Sequence, residues 1–264
     1  MQFIIKKIGK NIKKIMSITN FFKEKLKKKY YRKFNSDLAF FLCEGEGLEI
    51  GALSLPYKFN KNCKLKYADI YDKKKLESIV SNIPIDNLYT EKYVDVDYIL
   101  SPPKYLFESI GDNSFDFVYS SHSLEHSPNP VSSLIDQIRI TKPGGIIYSV
   151  LPNKNYTYDK KRNLTSSKFL IQKHESKIYD HTIEEALDVV NNTFDHPLYE
   201  KNKYRAEEYA NEMILKKEGI HHFYTFDDLN VMEIFIYLLK KDIIKIEHFS
   251  AKPEKDIHFA LRVI

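Results

Sequence analysis

The chain has 264 residues, of which 43% are hydrophobic and 29% are charged, a composition typical of a globular protein with a buried core. Its two cysteines, Cys43 and Cys63, lack the spacing of a metal site, and we expect both to be free thiols. We expect neither a membrane span nor a signal peptide, because no apolar run approaches about 20 residues and lysines interrupt the N-terminal apolar positions. Composition therefore argues against membrane-spanning and disulfide-framework proteins.

Positive charge is concentrated in residues 1–34, which hold 12 lysine or arginine residues and one acid, whereas the remaining chain is net acidic. Apolar residues recur in this segment near helical spacing, which predicts a basic amphipathic helix. Such a helix can pack on the body of the protein, or residues 1–30 can contact an anionic membrane peripherally, and both interpretations stay open. We expect no nucleic-acid partner, because the body is acidic.

From residue 45 onward, short apolar strands alternate with helices. This pattern predicts an α/β fold, a Rossmann-like doubly wound sheet of seven mostly parallel strands with an antiparallel edge strand. Residues 153–220 break the alternation and predict a helical insertion after strand five, which forms a substrate-binding cap within a single domain over residues 35–264. The predicted strands are Gly47–Ile50, Leu65–Ile70, Lys92–Val96, Phe115–Ser120, Ile146–Leu151, 243–250 and 256–264, and the predicted helices are Lys73–Val80, Val131–Thr141, 183–192, 203–217 and one that opens at Thr225 as its N-cap.

Ligands of a doubly wound sheet bind at the carboxyl ends of its strands. Glu49 lies in an otherwise apolar strand end, so its charge needs a partner, and a ligand ammonium would supply one. Gly51 permits close approach of the backbone, and free N–H groups of that turn could face a ligand carboxylate. Asp69, at the end of the second strand, is placed to accept hydrogen bonds from ribose hydroxyls. The segments predicted to converge on this rim are Glu49–Ala52, Asp69, Asp95–Ile99 and Ser120–His122.

The sequences GLEIGA, YADIYD and NSFDFVYSSHSLEHSPNPVSSLIDQIRITKPGGIIYSVLPN resemble those of class I S-adenosylmethionine-dependent methyltransferases, over roughly residues 45–153. The resemblance implies a methyltransferase with S-adenosyl-L-methionine as cofactor. Leu53 departs from the usual small residue of the first turn, which predicts a differently shaped loop. By resemblance, Glu49, Gly51 and Ala52 lie at the amino-acid part of the cofactor, Asp69 and Ile70 at its ribose, Asp97 and Tyr98 near its adenine, and Ser121 and His122 beside the reacting methyl.

The segments LPNKNYTYDKKRNLTS and HHFYTFDDL look like a bacterial methyltransferase subgroup associated with cell-surface carbohydrate loci. Just after strand five, tyrosines and basic residues form a cluster that suits a phosphate or sugar-phosphate, although a solvated charged loop is an equal alternative. The cluster comprises Tyr156, Tyr158, Lys160, Lys161 and Arg162. From it and the later histidines we predict substrate binding by Tyr156, Tyr158, Arg162 and His222.

An ammonium or hydroxyl acceptor must lose a proton, and a neutral imidazole within hydrogen-bond reach can take it. We predict His122, at the rim, and His181, which follows Asp180, as catalytic residues. No metal site is predicted, because no HExxH-type or other tight ligand set is present in the sequence.

These observations predict a cytoplasmic enzyme, peripheral at the inner face of the membrane if residues 1–30 bind lipid. It would methylate a nitrogen or oxygen of a small polar acceptor, a phosphorylated amino alcohol or a nucleotide-linked sugar used in capsule or surface-glycan biosynthesis. Two alternatives stay open: a protein or RNA methyltransferase, and a non-catalytic cofactor-binding scaffold subunit of a glycan assembly complex. The sequence predicts no oligomeric state.

Overall fold

The computed structural model describes residues 33–35, 37–80, 93–101, 104, 106–193, 205–216, 219–250 and 255–264. The chain divides into two compact units, Met1–Phe41 and Leu42–Ile264. In the first unit the described residues, 33–35 and 37–41, are helical. Nearly all of the predicted basic helix, with its membrane contact, lies outside the described residues. The second unit contains the sheet.

The sheet has seven strands in the order β3-β2-β1-β4-β5-β7-β6. The first five are parallel, and β7 runs antiparallel to both β5 and β6. The predicted fold class, a mostly parallel Rossmann-like sheet with an antiparallel edge, is confirmed. Only five residues separate β6 from β7, and so short a connection can join antiparallel strands but not parallel ones. The strands are β1 Glu46–Ile50, β2 Lys64–Asp69, β3 Tyr98–Ile99, β4 Phe115–Ser121, β5 Thr141–Pro152, β6 Ile244–Ser250 and β7 Asp256–Val263.

Helices follow the local capping signals of the sequence. The helix after β4 starts at Pro130, and the Asn129 side chain accepts the N–H of Ser132. In the insertion, Thr182 and Glu185 form a reciprocal capping box. None of the helices in the described ranges is both long and apolar enough to cross a bilayer. The helices are α1 Lys73–Val80, α2 Pro130–Ile140, α3 Ser167–Glu175, α4 Ile183–Asn192, α5 Ala206–Lys216 and α6 Asp228–Leu239.

Two local predictions are wrong. Strand three was expected over Lys92–Val96, but residues 93–97 are not in a strand and pairing with β2 begins at Tyr98. The last helix was expected to be capped by Thr225, yet the Asp227 carboxylate accepts the first N–H groups of α6. The Thr225 hydroxyl instead donates to the Asn163 carbonyl, a tertiary partner that local sequence does not reveal.

The core lies along the central strands and the helices that cover them. β1 and β4 are buried over almost their whole length, as expected for parallel strands covered on both faces. Leu48 and Val118 are fully buried in neighbouring strands, and Phe235 of α6 packs edge-on against Phe259 of β7. This packing fixes the strand ends that carry the candidate site.

Candidate active site

The carboxyl ends of three neighbouring parallel strands meet at one edge of the sheet. β1 pairs with β2 on one side and with β4 on the other, so the residues that end these strands lie side by side. The strand order reverses between β1 and β4, the position at which doubly wound sheets form a ligand crevice. The structure thus brings Gly51, Asp69 and Ser121 to one rim.

Glu49 lies near the end of β1 and is only 3% exposed. Its Oε1 accepts the backbone N–H of Tyr57 at 2.9 Å, while Oε2 has no hydrogen-bond partner among the described residues. Burial raises the pKa of Glu49 from 4.5 to about 7, and the hydrogen bond from Tyr57 opposes this effect only in part. The unpaired oxygen is therefore an acceptor for a ligand donor.

Gly51 turns the chain after β1 with a φ of 70°, a conformation that favours glycine. A Cβ added there would meet nothing nearer than Ser123, 3.8 Å away, so space is open beside the turn. The Gly51 N–H donates to the Ala68 carbonyl at 2.9 Å, so this group does not face a ligand as the sequence suggested. Ala52 is buried, and Leu53 takes a φ of 50°, a left-handed conformation that favours glycine, so the backbone keeps a glycine-type bend although the residue is a leucine.

Asp69 ends β2 at the rim, with 9% exposure. Its Oδ1 accepts the backbone N–H of Ile70 at 2.7 Å. Burial raises the pKa of Asp69 to about 6, against the opposing effect of the N–H groups of Ile70 and Tyr71. A Cβ added to Gly219 would lie 2.3 Å from the Ile70 side chain, so the chain after α5 closes tightly over this part of the rim.

Asp97 and Tyr98 lie beside the β2 end, but Asp97 has a structural task. Its Oδ2 accepts the Tyr67 N–H at 2.9 Å and its Oδ1 pairs with Lys66 Nζ at 2.7 Å. Tyr98 is half-buried in β3, with its ring edge-on to Phe115. Both residues therefore border the β2 end of the rim, where the adenine was expected.

His122 follows Ser121 at the end of β4 and takes a φ of 52°, a strained conformation for a residue with a side chain. Its Nδ1 lies 3.4 Å from Glu125 Oε1 and its Nε2 lies 3.2 Å from Asp256 Oδ1. Burial works against the charged ring, but these two carboxylates outweigh it and raise the pKa of His122 to about 10. The ring is thus protonated at neutral pH, which works against the general-base role predicted for it.

Behind this rim, Glu125 is completely buried on a 3₁₀ turn, Leu124–His126. Burial by itself would raise the pKa of Glu125, but the surrounding histidines lower it. Its Oε1 lies 3.9 Å from His126 Nε2 and 3.7 Å from His222 Nε2. Burial lowers the pKa of His126 to about 4, so this ring is neutral at physiological pH. His222 thereby joins a buried cluster that sequence spacing could not reveal.

Arg162, predicted to bind substrate, is buried in a network of internal contacts. Its NH1 donates to Asp159 Oδ1 at 2.9 Å and to the His222 carbonyl at 2.5 Å, and its NH2 donates to the Phe223 carbonyl at 2.8 Å. Its Nε donates to Asp188 of α4 at 2.8 Å. These contacts join the segment after β5 to α4 and to the end of the insertion, so they provide a structural role rather than a substrate contact.

The rest of the predicted basic cluster is more accessible. Tyr156, Lys160 and Lys161 are exposed, and the half-buried Tyr158 ring lies 4.8 Å from the His222 ring at an angle of 31°. The structure therefore brings together Tyr158 and His222, two of the residues that the sequence predicts to bind substrate. Lys160 and Lys161 are at the surface.

His181 lies inside the cap and not on the rim formed by the strand ends. Its ring stacks on Phe223 with centroids 3.4 Å apart, and its Nδ1 is 3.3 Å from Glu185 Oε2 and 3.4 Å from Tyr224 Oη. Burial lowers the pKa of His181. His181 therefore faces the carboxylate of Glu185 in α4, four residues further along the chain, whereas the sequence suggested the adjacent Asp180 as its orienting carboxylate.

Two residues of interest were not singled out from the sequence. Glu125 was overlooked although it adjoins His126 directly after the β4 rim. Lys154, just beyond β5, is 9% exposed and forms no ion pair with a described acidic residue. A buried cation after a strand end is detectable only once burial is known, because lysines are common in every loop of this chain.

Residues 85–149 match the sequence model of a methyltransferase domain. No curated protein sequence matches the chain. Among solved structures, the CurJ carbon methyltransferase is 11% identical, with 83% of this chain and 48% of that chain covered and a TM-score of 0.41. This chain thus spans about half the length of that protein.

Two other solved structures align over most of both chains. A methyltransferase from Methanosarcina mazei is 17% identical, with 83% of this chain and 92% of that chain covered and a TM-score of 0.39. A protein from Thermotoga maritima, described as a possible histamine N-methyltransferase, is 14% identical, with 91% and 98% covered and a TM-score of 0.43. The match of residues 85–149 is the comparison that bears on function.

Proposed function

We propose that this chain is an S-adenosyl-L-methionine-dependent methyltransferase, as the match of residues 85–149 supports, and that it transfers a methyl group to a nitrogen or oxygen of a small acceptor that carries phosphate. Lys154 carries the proposal. It is buried just beyond β5, at the same edge of the sheet as the rim, and no described acidic residue pairs with it. The ammonium of this largely buried side chain is open to an anionic ligand, and a substrate phosphate would supply its counter-charge.

The rim residues fit the cofactor. S-adenosyl-L-methionine supplies a methyl group on a positively charged sulfur, which makes the methyl carbon electrophilic. Glu49 offers a buried carboxylate oxygen without a partner, which suits the ammonium of the amino-acid part. The open space beside Gly51 lets a ligand approach the backbone, and Asp69 is the rim carboxylate for the ribose hydroxyls.

When bound, the cofactor would supply its methyl carbon to the lone pair of the acceptor, with the electron pair of the broken carbon–sulfur bond left on sulfur and the acceptor proton released to water at the rim. The protein holds the two reactants in line, which can supply much of the rate. His122 lines this rim with its ring nitrogens facing Glu125 and Asp256, so we do not assign it the acceptor proton.

A phosphorylated amino alcohol and a nucleotide-linked sugar both carry the required phosphate. We extend the proposal to surface-glycan biosynthesis in the cytoplasm, which rests on the sequence resemblance of the segments around Tyr158 and Phe223 to the carbohydrate-associated subgroup. Residues 1–30 add a peripheral contact with anionic membrane in this proposal, supported by their lysine content alone.

The test uses labelled cofactor with acceptor pairs that differ only in the phosphate. We expect turnover of the phosphorylated members and a KM at least tenfold higher in Lys154→Gln, with the Kd for the cofactor unchanged. The exposed Lys245 of β6 provides a matched control, Lys245→Gln, which should behave as the wild type. Equal turnover with and without phosphate would reject the phosphate assignment.

The two alternative functions give distinct results in the same assay. Cofactor binding without methylation of any acceptor would favour the scaffold interpretation. Methylation of a protein or an RNA in place of the small acceptors would favour a large substrate.

A further inference from the structure

Three potential metal ligands meet just behind the rim. Glu125 and His126 lie on the 3₁₀ turn after β4, and His222 lies on the segment that follows the insertion. One ligand atom from each residue lies within 4.8 Å of the other two. His126 and His222 are 96 residues apart along the chain, so only the fold assembles this set.

Each imidazole is oriented by a second partner. His126 Nδ1 lies 2.9 Å from the backbone carbonyl of His221, which can only accept, so Nδ1 carries the proton. His222 Nδ1 lies 2.8 Å from Asp159 Oδ2, a carboxylate that also pairs with Arg162. In the Nδ1–H tautomer of each ring, the Nε2 atom carries a lone pair toward Glu125. Metal-binding histidines are held in this way, with the other ring nitrogen donating to a carboxylate or carbonyl.

The carboxylate of Glu125 lacks the partners that its burial requires. The residue has no exposed surface, and neither of its oxygens accepts a hydrogen bond from any described residue. The nearest group, His122 Nδ1, lies 3.4 Å from Oε1 and is shared with Asp256 through the opposite ring nitrogen. His122 therefore faces two carboxylates at once, and a bound cation would supply the charge that this shared contact leaves uncompensated.

We propose that Glu125, His126 and His222 bind one divalent transition-metal ion, with zinc the ion that the ligand set fits best. Two imidazole nitrogens and one carboxylate form a three-ligand set that occurs in zinc sites with an open fourth position. Calcium and magnesium are disfavoured, since they prefer oxygen ligands. His126, whose side chain is 23% exposed, gives the ion a path from solvent.

The geometry is close to that of a bound site. Ligand atoms of a tetrahedral zinc lie roughly 3.3 Å apart when the bonds are about 2.0–2.1 Å long. The Nε2 atoms of His126 and His222 lie 3.9 and 3.7 Å from Glu125 Oε1, and all three ligand atoms lie within 4.8 Å of one another, so the side chains must draw closer around an ion. This inference concerns metal binding and stands independently of the proposed acceptor.

The experiment measures zinc binding to the full chain after dialysis against a chelator. Titration calorimetry and elemental analysis should give one zinc per chain with a Kd below 1 μM, and cobalt in place of zinc should give a visible absorption band. Glu125→Gln, which keeps the shape of the side chain, and His222→Gln should each weaken binding at least 100-fold. His248→Gln, in the edge strand β6, should bind as the wild type.

Circular dichroism establishes that each variant is folded, and His126→Gln replaces any variant that is not. Absence of saturable zinc binding to the wild type below 100 μM would overturn the proposal. Binding that survives in both Glu125→Gln and His222→Gln would also overturn it, because the ion would then be held by other histidines.

Discussion

Glu49 and Tyr57 are joined by a single hydrogen bond, in which the Tyr57 backbone N–H donates to Glu49 Oε1 at 2.9 Å and leaves Oε2 buried without a described partner. The hydrogen bond to Oε1 therefore fixes the direction of the carboxylate, and Oε2 stays available to accept a hydrogen bond from a ligand. It also explains why an acid sits in an apolar strand, since a cationic ligand would offset the cost of its burial.

Cofactor affinity should depend on the ionisation of Glu49. Its pKa is raised to about 7, so the carboxylate that attracts a cation is present above pH 7 and is lost as the pH falls below 7. Below pH 7, we expect the cofactor affinity of the wild type to decrease by a factor that approaches ten for each pH unit. Titration calorimetry between pH 6 and 8 measures this change. Glu49→Gln should bind at least tenfold more weakly at pH 8 with a flatter pH profile. Parallel pH profiles would contradict this role.

The stability of the ligand-free protein should show the opposite dependence. Because folding raises the pKa of Glu49 from 4.5 to about 7, the folded state binds more protons in that range and loses stability as the pH rises. At about 1.4 kcal/mol per pH unit, the loss approaches roughly 3 kcal/mol by pH 7. Urea unfolding of the wild type and Glu49→Gln across this range isolates the effect, and a constant difference between them would contradict it.

Asp69→Asn should weaken cofactor binding about 10- to 100-fold, because it removes a charged acceptor from the ribose hydroxyls. Asp97→Asn is the matched control, since Asp97 already bonds the Tyr67 N–H and Lys66, and its cofactor affinity should change little. An analogue without the ribose hydroxyls should bind wild type and Asp69→Asn equally. Unchanged affinity for the normal cofactor in folded Asp69→Asn would remove this residue from the site.

Arg162→Met should lower the free energy of unfolding by about 3–5 kcal/mol, because it leaves the buried Asp159 without its cation. The neighbouring Lys161 is exposed, so Lys161→Met should stay within about 0.5 kcal/mol of the wild type. Urea unfolding curves measure both changes. A variant of normal stability with a raised KM for the acceptor would instead support the substrate contact predicted from the sequence.

Deletion of residues 1–30 should abolish co-sedimentation with vesicles that contain anionic lipid and should leave activity on a soluble acceptor unchanged. The 10 lysine residues of this segment's sequence, which outnumber its one acid, supply the attraction. High salt should release the full chain from the vesicles in the same way. Equal sedimentation with and without the segment would dismiss the membrane contact.

Local sequence succeeded where a single segment carries the information. Strands β1, β2 and β4 and helix α1 are found within a residue of their predicted bounds, because apolar runs and glycine turns act over short distances. Prediction from local sequence failed where a side chain bonds a partner that is distant along the chain. Thr225 looked like a cap but bonds Asn163, and Arg162 looked like a surface cation but is enclosed by Asp159 and Asp188.

The sequence alone determined the order of strands and helices along the chain, and it thereby located the rim that carries Glu49, Gly51 and Asp69. It could do so because hydrophobic periodicity and turn residues are local properties of the chain. Only the tertiary structure decided the ionisation of His122, the enclosure of Arg162 and the meeting of Glu125 with His222. Burial and charge pairing depend on which distant segments come into contact, and residue spacing along the chain does not contain that information.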